Sequence, residues 1–262
     1  MNRIDCKFKG LKKQNKKAFI VFITAGYPTL EITKKLILEF SKIDVDILEL
    51  GVPFSDPLAD GPIIQEASQV ALKNKVNLND ILNLVKEVRK YTEIPICLMT
   101  YYNPIFCFGQ ERFAKIASVC GVDGLIIPDL PPEEGRSFIK LANKYKLDVI
   151  CFISPTTSLE RIKFISGISK GFIYYVSLTG VTGPRKALAS DLMEHLKAIK
   201  KITQKPVCVG FGISGPRQVK QILKTADGVI VGSAIIKKIK ENKSKPHLVK
   251  RVSSFVKNLR ES

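Results

Sequence analysis

The chain has 262 residues, 45% of them hydrophobic, enough to bury a sizeable core, and because α/β barrels of about 250 residues commonly form one domain, a single domain over residues 1–262 is expected. Its formal charge of +18 would attract nucleic acid or an anionic membrane, but the lysines are spread through helical stretches without a ladder of stacking aromatics, so they read as a solvated surface with neither partner expected. No apolar stretch is long enough to span a bilayer, the basic N-terminus has no apolar h-region, and the 6 cysteines include no C-x-x-C pair, which suits a reducing compartment: the cytoplasm or, in a plastid-bearing host, the stroma.

In chain order, the first strand-like run is AFIVFIT (18–24), followed by the helical pattern LEITKKLILEFSKI. VDILELG (45–51) is the second strand, and the proline-punctuated loop PFSDPLADGP comes after it. The helical DILNLVKEVRKYT leads to IPICLMTYY (94–102), then DGLIIPD (123–129), the helix EEGRSFIKLANKYK and LDVICFIS (147–154). GFIYYVS (171–177), PVCVGFG (206–212), the helix SGPRQVKQILKTA and DGVIVGS (227–233) complete the series. Most of these runs are apolar on both faces, as strands are when helices cover a parallel sheet, and Cys97, Cys151 and Cys208 sit within them as small apolar groups. Eight strand–helix repeats close into a (β/α)8 TIM barrel with extra helices, an α/β fold. An open doubly wound sheet is the rival, but no G-x-G-x-x-G follows the first strand.

A barrel of this kind carries its chemistry at the carboxyl ends of the strands and in the loops after them. Side chains alternate along the second strand, so Val45, Ile47 and Glu49 share one face while Leu48 and Leu50 pack under the helices; Glu49 then points into the barrel mouth. Carboxylates are rarely buried unless paired, and no basic residue lies nearby in this segment, which favours a functional role over a rim ion pair. Pro53, Pro57 and Pro62 restrain the following loop and would hold Asp60 over the mouth, although Asp56 and Asp60 also serve as ordinary turn formers.

The seventh and eighth strands end in GFGISGP and VGSAI, glycine-rich turns that open helices. Backbone N–H groups at such turns bind anions, and this is where barrels commonly hold phosphate, so Gly212, Gly232 and Ser233 are candidate ligands. LTGVTGPRKALAS, with Gly180 and Gly183, has the freedom of a lid. His195 and His247 fall in helical, exposed stretches, so no metal site is expected, and no strand end carries a lysine suited to a Schiff base. General acid and base chemistry on a phosphate-bearing substrate remains. The residues alone leave the substrate open.

LELGVPFSDPLADGP, GLIIPDLP, YYVSLTGVTGPR, GFGIS and GVIVGSAI, in this order at the strand ends, resemble the tryptophan synthase alpha chain family over essentially the whole length. The resemblance implies cleavage of indole-3-glycerol phosphate to indole and glyceraldehyde 3-phosphate, and a beta-chain partner, in an α2β2 heterotetramer, that uses pyridoxal phosphate; no cofactor is implied in this chain. It makes Glu49 the acid and base at the indole C3 and the glycerol hydroxyl, Asp60 the carboxylate that takes the indole N–H, and Tyr174 an assistant, with Tyr175 facing away. Phe22, Met99 and Phe211 would line the indole pocket; Gly183, Gly212, Gly232 and Ser233 would hold the phosphate; Thr182 would close against Asp60. Pro53 and Asp56, with Tyr102, Asn103 and Phe106 of the TYYNPIFCFG loop, would dock on the partner. Rival readings are another phosphosugar barrel enzyme of aromatic amino-acid synthesis and a non-catalytic activating scaffold.

Overall fold

The computed structural model describes residues 2–176, 185–210 and 212–261, and gives the backbone alone for 185–191 and 261. Strands β1 (Ala18–Thr24), β2 (Ile47–Gly51), β3 (Ile96–Met99), β4 (Gly124–Ile126), β5 (Asp148–Ile153), β6 (Ile173–Val176), β7 (Val207–Gly210) and β8 (Gly228–Val231) each pair in parallel with the next, and β8 returns to β1. The closed barrel is the one that the two-sided apolar runs predict. Before it comes α1 (Arg3–Lys13); α2 (Leu30–Phe40) leads to β2, α3 (Pro62–Lys73) and α4 (Leu78–Val88) to β3, and α5 (Tyr102–Phe108) and α6 (Gln110–Cys120) to β4. Then α7 (Arg136–Lys144), α8 (Leu159–Ile168), α9 (Arg185–Ile202) and α10 (Pro216–Leu223) lead to the next four strands, and α11 (Ser233–Asn242) and α12 (Leu248–Glu261) follow β8. No helix among the described residues is long and apolar enough to cross a membrane.

Local chemistry starts the helices where the loops must end. The Thr29 hydroxyl accepts the Ile32 N–H ahead of α2, Asn77 and Asp80 form a reciprocal capping box on α4, and Pro62 occupies the first turn of α3, where its missing N–H costs nothing. Two expectations are corrected. His195 is half-buried on α9, its Nδ1 3.0 Å from the Tyr175 hydroxyl, and His247 lies in an exposed turn with φ 59, not in a helix. Tyr102 to Phe108 form the short helix α5 in place of the expected loop.

One device recurs at the N-terminal end of the barrel. Asp46, Asp123 and Asp227 each stand one residue before an even-numbered strand, donate their own N–H to the carbonyl of a residue at the start of the preceding strand, and accept that same residue's N–H on a carboxylate oxygen: Phe19 at 2.9 Å, Ile96 at 2.8 Å and Val207 at 3.0 Å. Ahead of β6 the Ser169 hydroxyl takes the Cys151 N–H at 3.1 Å instead. Cations complete each aspartate: Arg260 (2.6 Å) and Lys7 (3.6 Å) at Asp46, Arg89 (2.7 Å) and Arg3 (3.1 Å) at Asp123, and Lys200 (2.5 Å) and Lys17 (3.4 Å) at Asp227. Helix α1 thus supplies Arg3 and Lys7 while driving Ile4 into the barrel floor, where a Cβ on Gly124 or Gly171 would stand 2.9 or 3.0 Å from it.

Asp148, the first residue of β5, breaks the pattern. It is 6% exposed, its Oδ2 is buried with no hydrogen-bond partner, and burial, reinforced by Asp5 and Asp123 against the opposing pull of Lys170 and Lys205, pushes its carboxyl from 3.8 up to about 7. The folded state therefore holds an extra proton between these values, so its stability falls as pH rises from about 4 to about 7 and stays lost above. Asp148→Asn is expected to raise the melting temperature at pH 8 by roughly 3 °C, about 1 kcal/mol, with the gain vanishing towards pH 4. Asp123→Ala, which takes the acceptor from the buried Ile96 N–H and the carboxylate from half-buried Arg89, should instead cost about 3 kcal/mol; thermal melts across pH check both.

Candidate active site

The β-pleat carries Glu49 to the interior, with Phe22 on β1 and Cys97 on β3 as its cross-strand neighbours. It is 1% exposed and neither carboxylate oxygen has a hydrogen-bond partner. Burial first, and the charge of Asp60 second, push its carboxyl from 4.5 up to about 8, so at neutral pH this group is mostly an acid with a proton to give. It opens into a cavity of about 190 Å³ that also meets Asp60, Tyr174, Phe22 and Met99. The wetter side of the same cavity is lined by Gly212, Gly232 and Ser233.

Asp60 is held by its loop and by one tyrosine. Its N–H donates to the Pro57 carbonyl at 3.0 Å, and its own carbonyl accepts the Gln65 side-chain amide at 2.9 Å. The Tyr101 hydroxyl donates to Oδ2 at 3.1 Å and accepts the Ala59 N–H at 2.9 Å, while Oδ1 is buried without a partner and faces no competitor for an incoming donor. Burial raises the Asp60 carboxyl and the Tyr101 hydrogen bond opposes that rise. Tyr101, whose ring stacks on Phe54 at 5.1 Å, is a site residue inside the TYYNPIFCFG segment, which the sequence reading assigned to the partner surface. Its pairing with Asp60 spans 41 residues and leaves no local signal.

Tyr174 is 4% exposed and packs on Phe152 with ring centroids 4.8 Å apart. Burial, then Glu49 and Asp60, raise its phenol well above the usual range, so it remains a neutral donor. The space for its ring is made by Gly210, where an added Cβ would lie 2.4 Å from the tyrosine hydroxyl. Tyr175 turns outward to His195, as alternation requires.

At the anion end Gly212 has φ 70, a backbone region open to glycine at little cost, which is why this turn carries one. Gly232 is the N-cap of α11 with no side-chain cap, leaving the first N–H groups of that helix for a ligand. Thr182, Gly183 and Phe211 lie outside the described residues. Of the expected docking residues, Asp56, Asn103 and Phe106 are exposed and Tyr102 is half-buried, whereas Pro53 is buried within this chain, as are Tyr101 and Ile105. Leu58, 93% exposed on the catalytic loop, was not singled out by the sequence reading. The reading also missed Ile63, Ile64, Ile230 and Lys237, which line the cavity too. Among the described residues no group of His, Cys, Asp and Glu could hold a metal ion.

Fold and site together define a (β/α)8-barrel enzyme built to move protons on a substrate with an anionic end. The family profile described as tryptophan synthase alpha chain matches residues 8–262. The chain is 50% identical to the tryptophan synthase alpha chain of Geotalea uraniireducens, over 98% of this chain and 96% of that one, and 46% identical to the alpha chain of Caldanaerobacter subterraneus subsp. tengcongensis, over 100% and 99%. It superposes on the crystal structure of tryptophan synthase subunit alpha from Legionella pneumophila with a TM-score of 0.91 at 40% identity, covering 99% of this chain and 97% of that one. The chain belongs to the tryptophan synthase alpha chain family.

Gly210→Ala is expected to displace Tyr174 and, since small misplacements in a catalytic constellation are costly, to lower turnover by about 10- to 100-fold. Gly167→Ala, which meets nothing within 4 Å, should leave turnover unchanged, so steady-state kinetics on the two variants isolate the steric effect.

Proposed function

We propose that Glu49 and Asp60 divide the proton chemistry by which this lyase subunit cleaves indole-3-glycerol phosphate to indole and glyceraldehyde 3-phosphate. The chain serves tryptophan biosynthesis as the alpha subunit, which carries no cofactor; pyridoxal phosphate belongs to the beta chain with which alpha chains work in a complex. Protonated Glu49 gives its proton to the indole C3, and the partner-free Oδ1 of Asp60 takes the indole N–H as positive charge develops on the ring. Glu49, now a carboxylate, takes the proton of the glycerol hydroxyl; the C–C bond breaks, its electron pair restores the aromatic ring, and the aldehyde departs. Tyr174 donates within this site, Phe22 and Met99 pack against the indole, and the turns at Gly212, Gly232 and Ser233 hold the phosphate. The observation that carries this reading is the buried Glu49 carboxyl, without a hydrogen-bond partner and facing a cavity it shares with Asp60.

Residues 1–262 serve the site as one domain: α1 and α12, at opposite ends of the chain, both reach Asp46 through Lys7 and Arg260. The bacterial origin of the similar alpha chains supports a cytoplasmic setting, or the stroma in a plastid-bearing host. The exposed Asp56, Asn103 and Phe106 are the surface for the beta chain in an α2β2 assembly, with Tyr102 beneath them.

Glu49→Gln keeps the shape but cannot transfer the proton, so cleavage should fall about 10²–10⁴-fold. In the unsubstituted enzyme kcat/KM should decline as pH rises through about 8, where Glu49 loses the proton it must donate, and a pH–rate profile without that limb would remove Glu49 from the acid role. Phe106→Ala or Asp56→Ala should retain basal cleavage yet lose stimulation by an added beta chain. Full stimulation of both variants would place the docking surface elsewhere.

A further inference from the structure

Among the described residues that line the active-site cavity, Lys237 is the one basic side chain, set against the two carboxylates Glu49 and Asp60. It lies on α11, one helical turn after Ser233, so both stand on the same face. Long helical side chains lean back towards the N-terminus, over the turn that precedes them. For Lys237 that turn is the uncapped start of α11 at Gly232, Ser233 and Ala234, which line the cavity with it. Its helix neighbours are engaged: Lys238 pairs with Glu241 and Lys240 with Glu66. Lys237 has no carboxylate partner among the described residues, although it sits on an exposed position where one could reach it.

We propose that Lys237 is the charge-bearing member of the phosphate site, a positioning residue that closes its ammonium over the substrate's phosphate dianion. The proposal rests on the reading that the turns at Gly212, Gly232 and Ser233 hold that phosphate. Backbone N–H groups and a helix terminus supply only partial charge, so they leave most of a dianion uncompensated, and Asp60 and Glu49 share its cavity. A single ammonium on the helix that the phosphate turn opens attracts the dianion there and turns the indole towards Glu49. It also discriminates for a phosphorylated glycerol side chain over the unphosphorylated one. Because the lysine is exposed when the site is empty, it speeds capture through its long-range field, an effect that salt screens over roughly 10 Å.

Lys237→Met tests this. The KM for indole-3-glycerol phosphate and the inhibition constant of inorganic phosphate should both rise about 5- to 10-fold, kcat should stay within about twofold, and the fall of kcat/KM with ionic strength should flatten. Lys237→Arg should restore most of the affinity, and Lys238→Met should change none of these. An unchanged phosphate constant with an unchanged salt dependence would overturn the assignment, as would a loss confined to kcat. Gly232→Asp separates the two layers of the argument. If it abolishes phosphate inhibition while Lys237→Met has no effect, the phosphate turns stand and the lysine falls; if it leaves phosphate inhibition intact, the turns and the lysine fall together.

Discussion

Closing eight parallel strands into a barrel turns alternate side chains of every strand inward, and on β2 that alternation puts Glu49 where neither oxygen meets a donor. Everything around it follows from the cost of that position. A buried carboxyl without partners holds its proton, so it is an acid at neutral pH, and an ion pair there would remove that property by lowering its pKa. Tyr174 next to it is likewise kept neutral by burial and by the nearby carboxylates. Asp60 is close enough to raise the Glu49 carboxyl further, and its own tyrosine hydrogen bond opposes the same rise in itself, so the two acids are pushed apart in behaviour.

A site of this kind contributes little to stability, and the opposite end of the barrel carries that load. There three aspartates each tie two strands together through main-chain hydrogen bonds and are each matched by two cations drawn from helices and loops. Among the described residues Glu49 and Asp60 at the mouth make no ion pair, whereas Asp46, Asp123 and Asp227 at the floor have two apiece. Helix α1 belongs to the floor, sealing it with Ile4 and binding two of the three aspartates.

The catalytic loop is joined to its surroundings at one hydroxyl. Tyr101 sits at the start of α5, accepts the Ala59 N–H and donates a hydrogen bond to Asp60, while Phe54 stacks on its ring. The exposed Asn103 and Phe106 therefore lie on the helix that Tyr101 begins, and Tyr101 is one hydrogen bond away from Asp60.

Features that depend on a few neighbouring residues were legible in the sequence. Two-sided apolar runs marked the strands, the pleat of β2 turned Glu49 inward, that of β6 turned Tyr175 outward from Tyr174, and the glycine of a strand-end turn was visible at Gly212, whose φ is positive. These follow from strand period and backbone sterics, which are local. What only the tertiary structure decided were arrangements set by the stagger and closure of the barrel: Arg260 on Asp46 across 214 residues, Arg89 on Asp123, Tyr101 on Asp60, and the meeting of Lys237 with Glu49 and Asp60 in the lining of one cavity. The same is true of the burial of Pro53 and of the half-burial of His195 against Tyr175. No window of the sequence contains both members of the long-range pairs, so their charges and hydroxyls read as ordinary surface until the barrel closes and brings them together.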